Sequence, residues 1–216
     1  VPKSAPTTAF DKDPEFARWK SRNISQQKQT GFHNIQIKLV LGDFTSAQAR
    51  GLSRIASTHA AGYMINTFNQ NIMIPWVREE SFGSLFGELK KIGLHKAGTE
   101  QLCDIVSCPG SETCNLGITA SRGLAHHLTE DMEKNYTDSP DLDNISIKVS
   151  GCPNSCAQHH IASIGFHGAA KKVNGILATF YEVMLGGNVS DSVAVFGTTV
   201  SKIPAKNGPA AVKRLT

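Results

Sequence analysis

Hydrophobic residues recur with two different periods in the first part of the chain. The stretch "HNIQIKLVLGDF" alternates apolar and polar positions and is β-branched, which predicts a strand over about residues 34–41. The stretch that follows, "AQARGLSRIASTHA", carries its apolar residues at helical spacing. It therefore predicts a helix that Thr45 or Ser46 caps and that Gly62 ends.

The next part of the chain again predicts a strand followed by a helix. The stretch "YMINTFNQNIMIPWV" predicts a strand pair or one bent strand, with Pro75 at an edge or a bulge because proline cannot donate a ladder hydrogen bond. The stretch "EESFGSLFGELKKIGL" begins with acids, ends with lysines and stops at Gly93, as a helix does. The order β-α-β-α predicts a compact half-domain, to which we assign residues 32–97.

The segment before this half-domain has a different character. Its start, "VPKSAPTTAFDKD", contains two prolines and little that is apolar, so residues 1–31 are predicted to be a leader and linker. Within it, "DPEFARWKSR" predicts a short helix that Asp13 caps and Pro14 opens. The chain does not begin with methionine, and we expect it to be an excised piece of a longer protein.

Residues 98–216 form the second predicted domain, a mixture of helix and strand. The stretch "TASRGLAHHLTEDMEKNY" predicts a helix over about residues 118–135, and "DSPDLDN" predicts a turn. The stretches "ISIKVSG", "IASIGFHG" and "ILATFYEVMLGG" predict three strands, and the pair Lys171 and Lys172 a solvated turn. "DSVAVFGTTVSKIP" is less regular, and "PAAVKRLT" predicts a helical start. The fold class predicted for the whole chain is α+β.

Composition narrows the classes of function. The chain has 216 residues and a formal net charge of +4, which suits an anionic ligand or an acidic partner. It has no run rich in lysine and arginine, so we predict no nucleic-acid partner. Its apolar runs are too short for a membrane span, and it shows no signal peptide. The expected compartment is the cytoplasm, or the plastid stroma if the source is a plant.

Four of the five cysteines fall into two pairs. Cys108 and Cys114 bracket five residues in "CPGSETC", and Cys152 and Cys156 bracket three in "CPNSC". Both pairs lie in turns that contain proline, where backbone N–H groups can point at a ligand. Hydrogen bonds to thiolate sulfur offset its negative charge and set the potential of a redox centre. The clustered spacing therefore indicates a metal-binding or catalytic site at these two turns.

Three interpretations of the four thiols remain open on spacing alone. They could be small buried hydrophobic residues, although two proline-flanked pairs are hard to explain by packing. They could hold a structural zinc ion, for which the three-residue gap fits and the five-residue gap is too wide. They could hold an iron–sulfur cluster through four cysteines. A non-enzymatic zinc module with four cysteine ligands, used for partner binding, is thus the alternative to a redox enzyme.

The residues around the pairs resemble one family. "CPGSETC" with "NLGITASRG", then "KVSGCPNSCAQHHIASIGFHG", then "LGGN", is similar to the nitrite and sulfite reductases that contain siroheme and a [4Fe-4S] cluster. The likeness covers most of residues 100–190. Residues 32–95 resemble the ferredoxin-like half-domain that precedes this module, most clearly in "TFNQNIMIPWV". The resemblance implies a ferredoxin-like half-domain followed by a 4Fe-4S and siroheme domain, and a missing N-terminal half of the same protein.

This resemblance also implies a reaction and a set of site residues. The family reduces nitrite to ammonia or sulfite to sulfide with six electrons, taken from ferredoxin or a flavoprotein. Carried over, the cluster ligands are Cys108, Cys114, Cys152 and Cys156. The last of these is also the axial ligand of the siroheme iron and so the catalytic residue. Further cofactor contacts are expected from the turn residue Asn154 and from Gly186, Gly187 and Asn188.

Other reactive residues receive structural interpretations. Cys103 matches no motif position, so we expect a buried or half-buried thiol outside the site. The adjacent histidines at 126–127 and 159–160 are expected to be structural or on the surface, with contact to the site possible for the second pair. Arg122 is expected to stabilise its helix. The sequence does not decide between nitrite and sulfite, and the isolated chain is expected to be inactive as a reductase.

Overall fold

A computed structural model describes residues 9–136, 142, 144–190 and 193–216. The chain divides into two compact units, one that ends at Thr99 and one that begins at Glu100. Most of the predicted turn "DSPDLDN" lies outside the described residues, as do Asp191 and Ser192.

The first unit packs three helices against a four-stranded antiparallel sheet. The helices are α1 (Pro14–Asn23), α2 (Ser46–His59) and α3 (Phe82–Lys91). The strands are β1 (Ile24–Gln26), β2 (His33–Ile37), β3 (Ile65–Asn66) and β4 (Ile72–Val77), in the order β1-β2-β4-β3. Trp19, Ile35, Leu52 and Phe86 are fully buried in the core between them.

Both predicted caps of this unit are confirmed. The side chain of Asp13 accepts a hydrogen bond from the N–H of Glu15 at 2.9 Å, with Pro14 at the first helical position. Thr45 and Gln48 form a reciprocal capping box at the start of α2. Gly93 has φ +71° and follows α3, as its predicted stop requires.

The strand predicted over residues 34–41 is shorter than expected. It ends at Ile37, and a 3-10 turn occupies Val40–Gly42. The reason is a tertiary contact, because the N–H of Leu39 leaves the ladder and donates to the buried side chain of Asn71 at 2.8 Å. Pro75 lies at a bulge as predicted, since the β2–β4 register shifts beside it.

The second unit is built on a five-stranded mixed sheet. Its strands are β5 (Val106–Ser107), β6 (Ile147–Ser150), β7 (Ile164–Val173), β8 (Ile176–Leu185) and β11 (Thr198–Pro204), in the order β11-β8-β7-β6-β5. β5, β6 and β7 run parallel, and β7, β8 and β11 run antiparallel. A separate ribbon pairs β9 (Asn188–Val189) with β10 (Ala194–Val195). The helices are α4 (Ser121–Asn135) and α5 (Gly208–Leu215).

Three predictions for this unit need correction. The helix expected from residue 118 begins at Ser121, and the residues before it are instead bound to the second cysteine turn, where Ile118 and Thr119 both donate to the carbonyl of Gly151. Lys171 and Lys172 lie in β7, and the turn follows them. The stretch predicted as irregular contains the seven-residue strand β11. Its side chains are mostly exposed at the edge of the sheet, so no hydrophobic alternation marks it.

The predicted strands β6 and β8 and the helix α5 are confirmed. The observed mixture of helices and sheets confirms the α+β fold class. No helix in the described part of the chain is long and apolar enough to cross a lipid bilayer.

Candidate functional site

The two cysteine pairs begin where neighbouring parallel strands end. Cys108 follows β5 directly, and Cys152 follows β6 after Gly151. The carboxyl ends of adjacent parallel strands meet at one edge of a sheet, so both turns start from the same edge. The N–H of Cys108 donates to the carbonyl of Val149 at 3.2 Å, which continues the ladder to the first cysteine.

The two turns meet at the sulfur of Cys108. The backbone N–H of Gly151 donates to this sulfur at 3.0 Å, and the hydroxyl of Ser121 lies 3.3 Å from it. The same hydroxyl donates to the carbonyl of Cys108 at 2.8 Å, which ties the turn to the start of α4. The sulfur is therefore held at a fixed place, with the N–H of Gly151 as its donor, and such a hydrogen bond offsets the negative charge of a thiolate ligand.

Glycines make this close approach of backbones possible. A Cβ on Gly117 would lie 2.5 Å from the carbonyl carbon of Gly110, and a Cβ on Gly151 would lie 2.7 Å from the Cα of Gly110. Gly110 itself has φ +58°, a conformation that glycine adopts without strain. A Cβ on Gly168 of β7 would meet the carbonyl of Gly151. No larger residue fits at these positions without moving a backbone.

The four cysteines differ in exposure. Cys108 and Cys152 are each 8 % exposed, Cys114 is half-buried and Cys156 is exposed. None of the five cysteines of the chain is in a disulfide. Cys103 is buried, as predicted for a thiol outside the paired turns. The pairs thus offer sulfur both inside the unit and at its surface.

The turn that carries Cys156 is held by histidines. His159 and Ser150 share a hydrogen bond of 2.9 Å, and His160 and Ser155 share another of 2.9 Å. The two imidazole rings stack, with centroids 4.1 Å apart. The two histidines therefore have a structural role, as predicted: their hydrogen bonds connect the Cys156 turn to the end of β6.

His159 is electrically unusual. It is fully buried, and its Nε2 has no hydrogen-bond partner within the described residues. Burial lowers the pKa of His159 to about 4, and the neighbouring His160 and His167 add to this effect. The ring is therefore neutral at physiological pH.

A polar row crosses the sheet beside this stack. Ser150, His167, Glu182 and Lys202 are directly opposite one another on successive strands. His167 lies 3.4 Å from Glu182, which also bonds to Lys202 at 2.7 Å. The hydrogen bond from Lys202 is the main reason that the pKa of Glu182 is lowered. The row ends at the exposed edge strand β11.

The structure also locates the other predicted cofactor residues. Asn154 is exposed in the turn between Cys152 and Cys156. Gly186 has φ +84° and is exposed, and Asn188 is exposed at the start of β9. Gly187 is buried, and a Cβ there would lie 2.6 Å from the carbonyl of His160. This turn therefore packs next to the Cys156 turn. Gly187 is needed there whether or not a cofactor binds, because a side chain would collide with the carbonyl of His160.

The arrangement of the donors bears on which metal group fits. Among the described residues, no group of three or more His, Cys, Asp or Glu side chains is placed to hold a metal ion. A structural zinc ion needs four ligands converging to about 2.0–2.3 Å from one point. A four-iron cluster binds one thiolate at each of four irons, so its sulfurs surround a common cube and lie farther apart than the ligands of one zinc ion. The N–H···S bond brings the two cysteine turns together, and nothing in the described residues supports the zinc alternative.

Comparison with known proteins identifies both units. Residues 98–216 match the family model of the nitrite and sulphite reductase 4Fe-4S domain. The chain belongs to the nitrite and sulfite reductase family. Residues 25–92 match the model of the ferredoxin-like half domain of the same enzymes. The predicted family and both predicted kinds of domain are thereby confirmed.

Curated relatives are reductases of both kinds. The chain is 26 % identical to a ferredoxin–nitrite reductase of Synechococcus elongatus, over 94 % of the chain and 40 % of the relative. It is 29 % identical to a chloroplastic ferredoxin–nitrite reductase of Arabidopsis thaliana, over 81 % of the chain and 30 % of the relative. A ferredoxin sulfite reductase of Mycobacterium tuberculosis is 25 % identical over 76 % of the chain and 30 % of the relative. The chain spans well under half of the length of these relatives.

Solved structures show the same fold. The NirA protein of Mycobacterium tuberculosis superposes with a TM-score of 0.75 at 20 % identity, over 99 % of the chain and 38 % of NirA. A dissimilatory sulfite reductase I matches with a TM-score of 0.63 at 13 % identity, over 80 % of the chain and 58 % of that protein. At these identities the likeness concerns the fold.

Proposed function

We propose that this chain is the part of a nitrite or sulfite reductase that holds a [4Fe-4S] cluster coupled to siroheme. The observation that carries the proposal is the N–H···S bond from Gly151 to Cys108, which joins the two cysteine turns. The match to the 4Fe-4S domain of this family supports it. When bound, the coupled pair supplies the electron transfers of a six-electron reduction, of nitrite to ammonia or of sulfite to sulfide.

The residues of the chain have separate roles in this proposal. Four sulfurs hold the cluster, namely those of Cys108, Cys114, Cys152 and Cys156. The N–H of Gly151 stabilises negative charge on the largely buried sulfur of Cys108. Cys156 is exposed, so its sulfur is accessible to a second group and would also hold the siroheme iron. Asn154 and the turn of Gly186, Gly187 and Asn188 are the proposed contacts to that macrocycle.

The donor and substrate follow from the relatives. The nitrite and sulfite reductases named above carry ferredoxin in their names, so we propose ferredoxin as the electron donor in preference to a flavoprotein. A net charge of +4 supports an acidic donor and an anionic substrate. The proposed compartments are the cytoplasm and, as for chloroplastic relatives, the plastid stroma.

Anaerobic reconstitution with iron and sulfide tests the proposal. The purified chain should take up about four irons and four sulfides and show the broad visible absorption of a cluster. The variant Cys108→Ser should lose this uptake. The matched variant Cys103→Ser, at a second buried cysteine, should keep it because Cys103 lies outside the paired turns. One tightly bound zinc per chain without uptake of iron would favour the zinc module and reject the proposal.

The chain alone should not reduce nitrite or sulfite. It spans 30–40 % of the length of the curated relatives described above, so we propose that an N-terminal half of the same protein completes the substrate pocket. Catalysis of this kind needs cationic groups enclosed around the substrate. A steady-state assay with siroheme and a reduced donor tests this, and turnover by the 216-residue chain would contradict it.

A further inference from the structure

Cys156 lies on a turn whose backbone is unusual. The residue before it, Ser155, has φ +59°, and Gln158 has φ +59° as well. Neither is glycine, and a side-chain-bearing residue persists in the left-handed region only where its surroundings determine it. The N–H of Gln158 donates to the carbonyl of Ser155 at 2.7 Å, which closes the turn between them.

Two serine–histidine hydrogen bonds hold this turn from either end. His160 reaches back over Cys156 to Ser155, and His159 reaches back to Ser150 at the end of β6. The oxygen of Ser150 also accepts from the N–H of Ala157 at 3.4 Å. The chain between Ser150 and His160 includes both Cys152 and Cys156, so the bonds span the whole second cysteine turn.

The histidines themselves cannot move freely. His159 is fully buried between two rings, with centroids 4.1 Å from His160 and 4.8 Å from His167. The carbonyl of His160 accepts from the N–H of Gly197 at 2.7 Å, and a Cβ on Gly187 would meet the same carbonyl. The ring of His159 is therefore held between its two neighbours, and the backbone of His160 is held by the turns of Gly187 and Gly197.

We propose that His160 and Ser155 are positioning residues that hold the thiol of Cys156 in place, with the bond between His159 and Ser150 anchoring them to β6. The functional importance of holding this thiol rests on the proposed function, in which Cys156 is the sulfur shared by two cofactors. Both partners of the hydrogen bond are side chains of this chain, so the bond can be tested separately from the cofactors.

Hydrogen exchange of the full chain, prepared without iron, tests the proposal. Ser155→Ala removes the hydroxyl, and His160→Phe keeps a flat ring for the stack but removes the nitrogen. In each variant, amide exchange in residues 155–162 should be about fivefold faster, as for the loss of one hydrogen bond. The double variant should be no faster than either single variant, because both changes remove the same bond. The matched variant His160→Asn offers a polar atom near the position of Nδ1, so its exchange should stay as slow as in the wild type.

Site-specific alkylation provides a second readout. The rate at Cys156 relative to Cys114 should rise by up to about fivefold in Ser155→Ala and in His160→Phe, as expected for the loss of one hydrogen bond, and should keep the wild-type value in His160→Asn. Unchanged exchange and alkylation in both single variants, or additive effects in the double variant, would reject the positioning role. Failure of the wild-type chain to bind iron would instead reject the proposed function, and the two outcomes are thus distinguishable.

Discussion

The backbone N–H of Gly151 points at the sulfur of Cys108 from 3.0 Å, although the two residues are 43 positions apart in the chain. Gly151 follows the end of β6, and Cys108 follows the neighbouring strand β5. The contact therefore depends on the pairing of two parallel strands and on a glycine that lets their turns touch. It is the contact that brings the two cysteine turns together.

Gly151→Ala should destabilise the second unit by about 1–3 kcal/mol, because the added Cβ would lie 2.7 Å from the backbone of Gly110. Circular dichroism during urea unfolding should report the loss. Tryptophan fluorescence provides an internal control, since both tryptophans, Trp19 and Trp76, lie in the first unit. Gly123→Ala, on α4 with room for a methyl group, should be neutral or stabilising, and equal effects of the two changes would contradict the packing argument.

Stability should fall between pH 6.5 and pH 4 in a way that depends on His159. Its pKa drops from an ordinary 6.5 to about 4 in the folded chain. As the pH falls through this window, the unfolded chain binds a proton that the folded chain does not, so the free energy of unfolding decreases by up to about 3 kcal/mol. Above pH 6.5 the effect is absent, and below pH 4 it no longer grows.

The variant His159→Asn isolates this effect, because it keeps a polar atom near Ser150 but does not titrate. Denaturation midpoints across the pH range should be flatter than in the wild type. The control is His127→Asn on the exposed side of α4, which should retain the wild-type slope. A slope unchanged by His159→Asn would show that other groups cause the pH dependence.

Replacement of each cysteine of the second pair should have a different effect in the complete reductase to which we propose this chain belongs. Cys156→Ser should break the magnetic coupling between cluster and siroheme and cut turnover severely, since an axial ligand sets the electronics of the iron. Cys152→Ser should chiefly impair cluster assembly. EPR and Mössbauer spectra separate the two effects. Coupled spectra with near-normal turnover in Cys156→Ser would assign the bridging role to another cysteine.

Asn23→Ala should weaken the first unit by about 3 kcal/mol, because truncation of this buried side chain removes three hydrogen bonds to the backbone, each worth about 1 kcal/mol. The buried amide of Asn23 donates to the carbonyls of Gln36 and Lys96, and its oxygen accepts from the N–H of Gly98. Tryptophan fluorescence in urea measures the change. Asn23→Asp keeps only the accepting oxygen and should also destabilise; wild-type stability in both variants would exclude this role.

Local signals in the sequence predicted most of the elements correctly. The caps at Asp13 and Thr45 and the stop at Gly93 are confirmed because each depends on hydrogen bonds or backbone angles within a few residues. The bulge at Pro75 follows from the missing N–H of proline, which is equally local. The family and its cysteine motifs were also visible in the sequence, since they depend on residue type and spacing.

Tertiary contacts decided the rest. The strand β2 ends early because Asn71, far along the chain, binds the N–H of Leu39. The edge strand β11 has exposed side chains, so only its pairing with β8 defines it. Ser121 and the glycines around Gly151 showed no distinctive pattern, because their role arises from close approach between distant segments.

By itself, the sequence determined the family, through the two cysteine motifs and the residues around them. Only the tertiary structure decided how those turns are held. The pairing of β5 with β6 brings Cys108 to Gly151, and the buried stack at His159 fixes the turn of Cys156. The physical reason is that residue types and short spacings are local properties, whereas the position of a sulfur depends on hydrogen bonds between segments that meet only after folding.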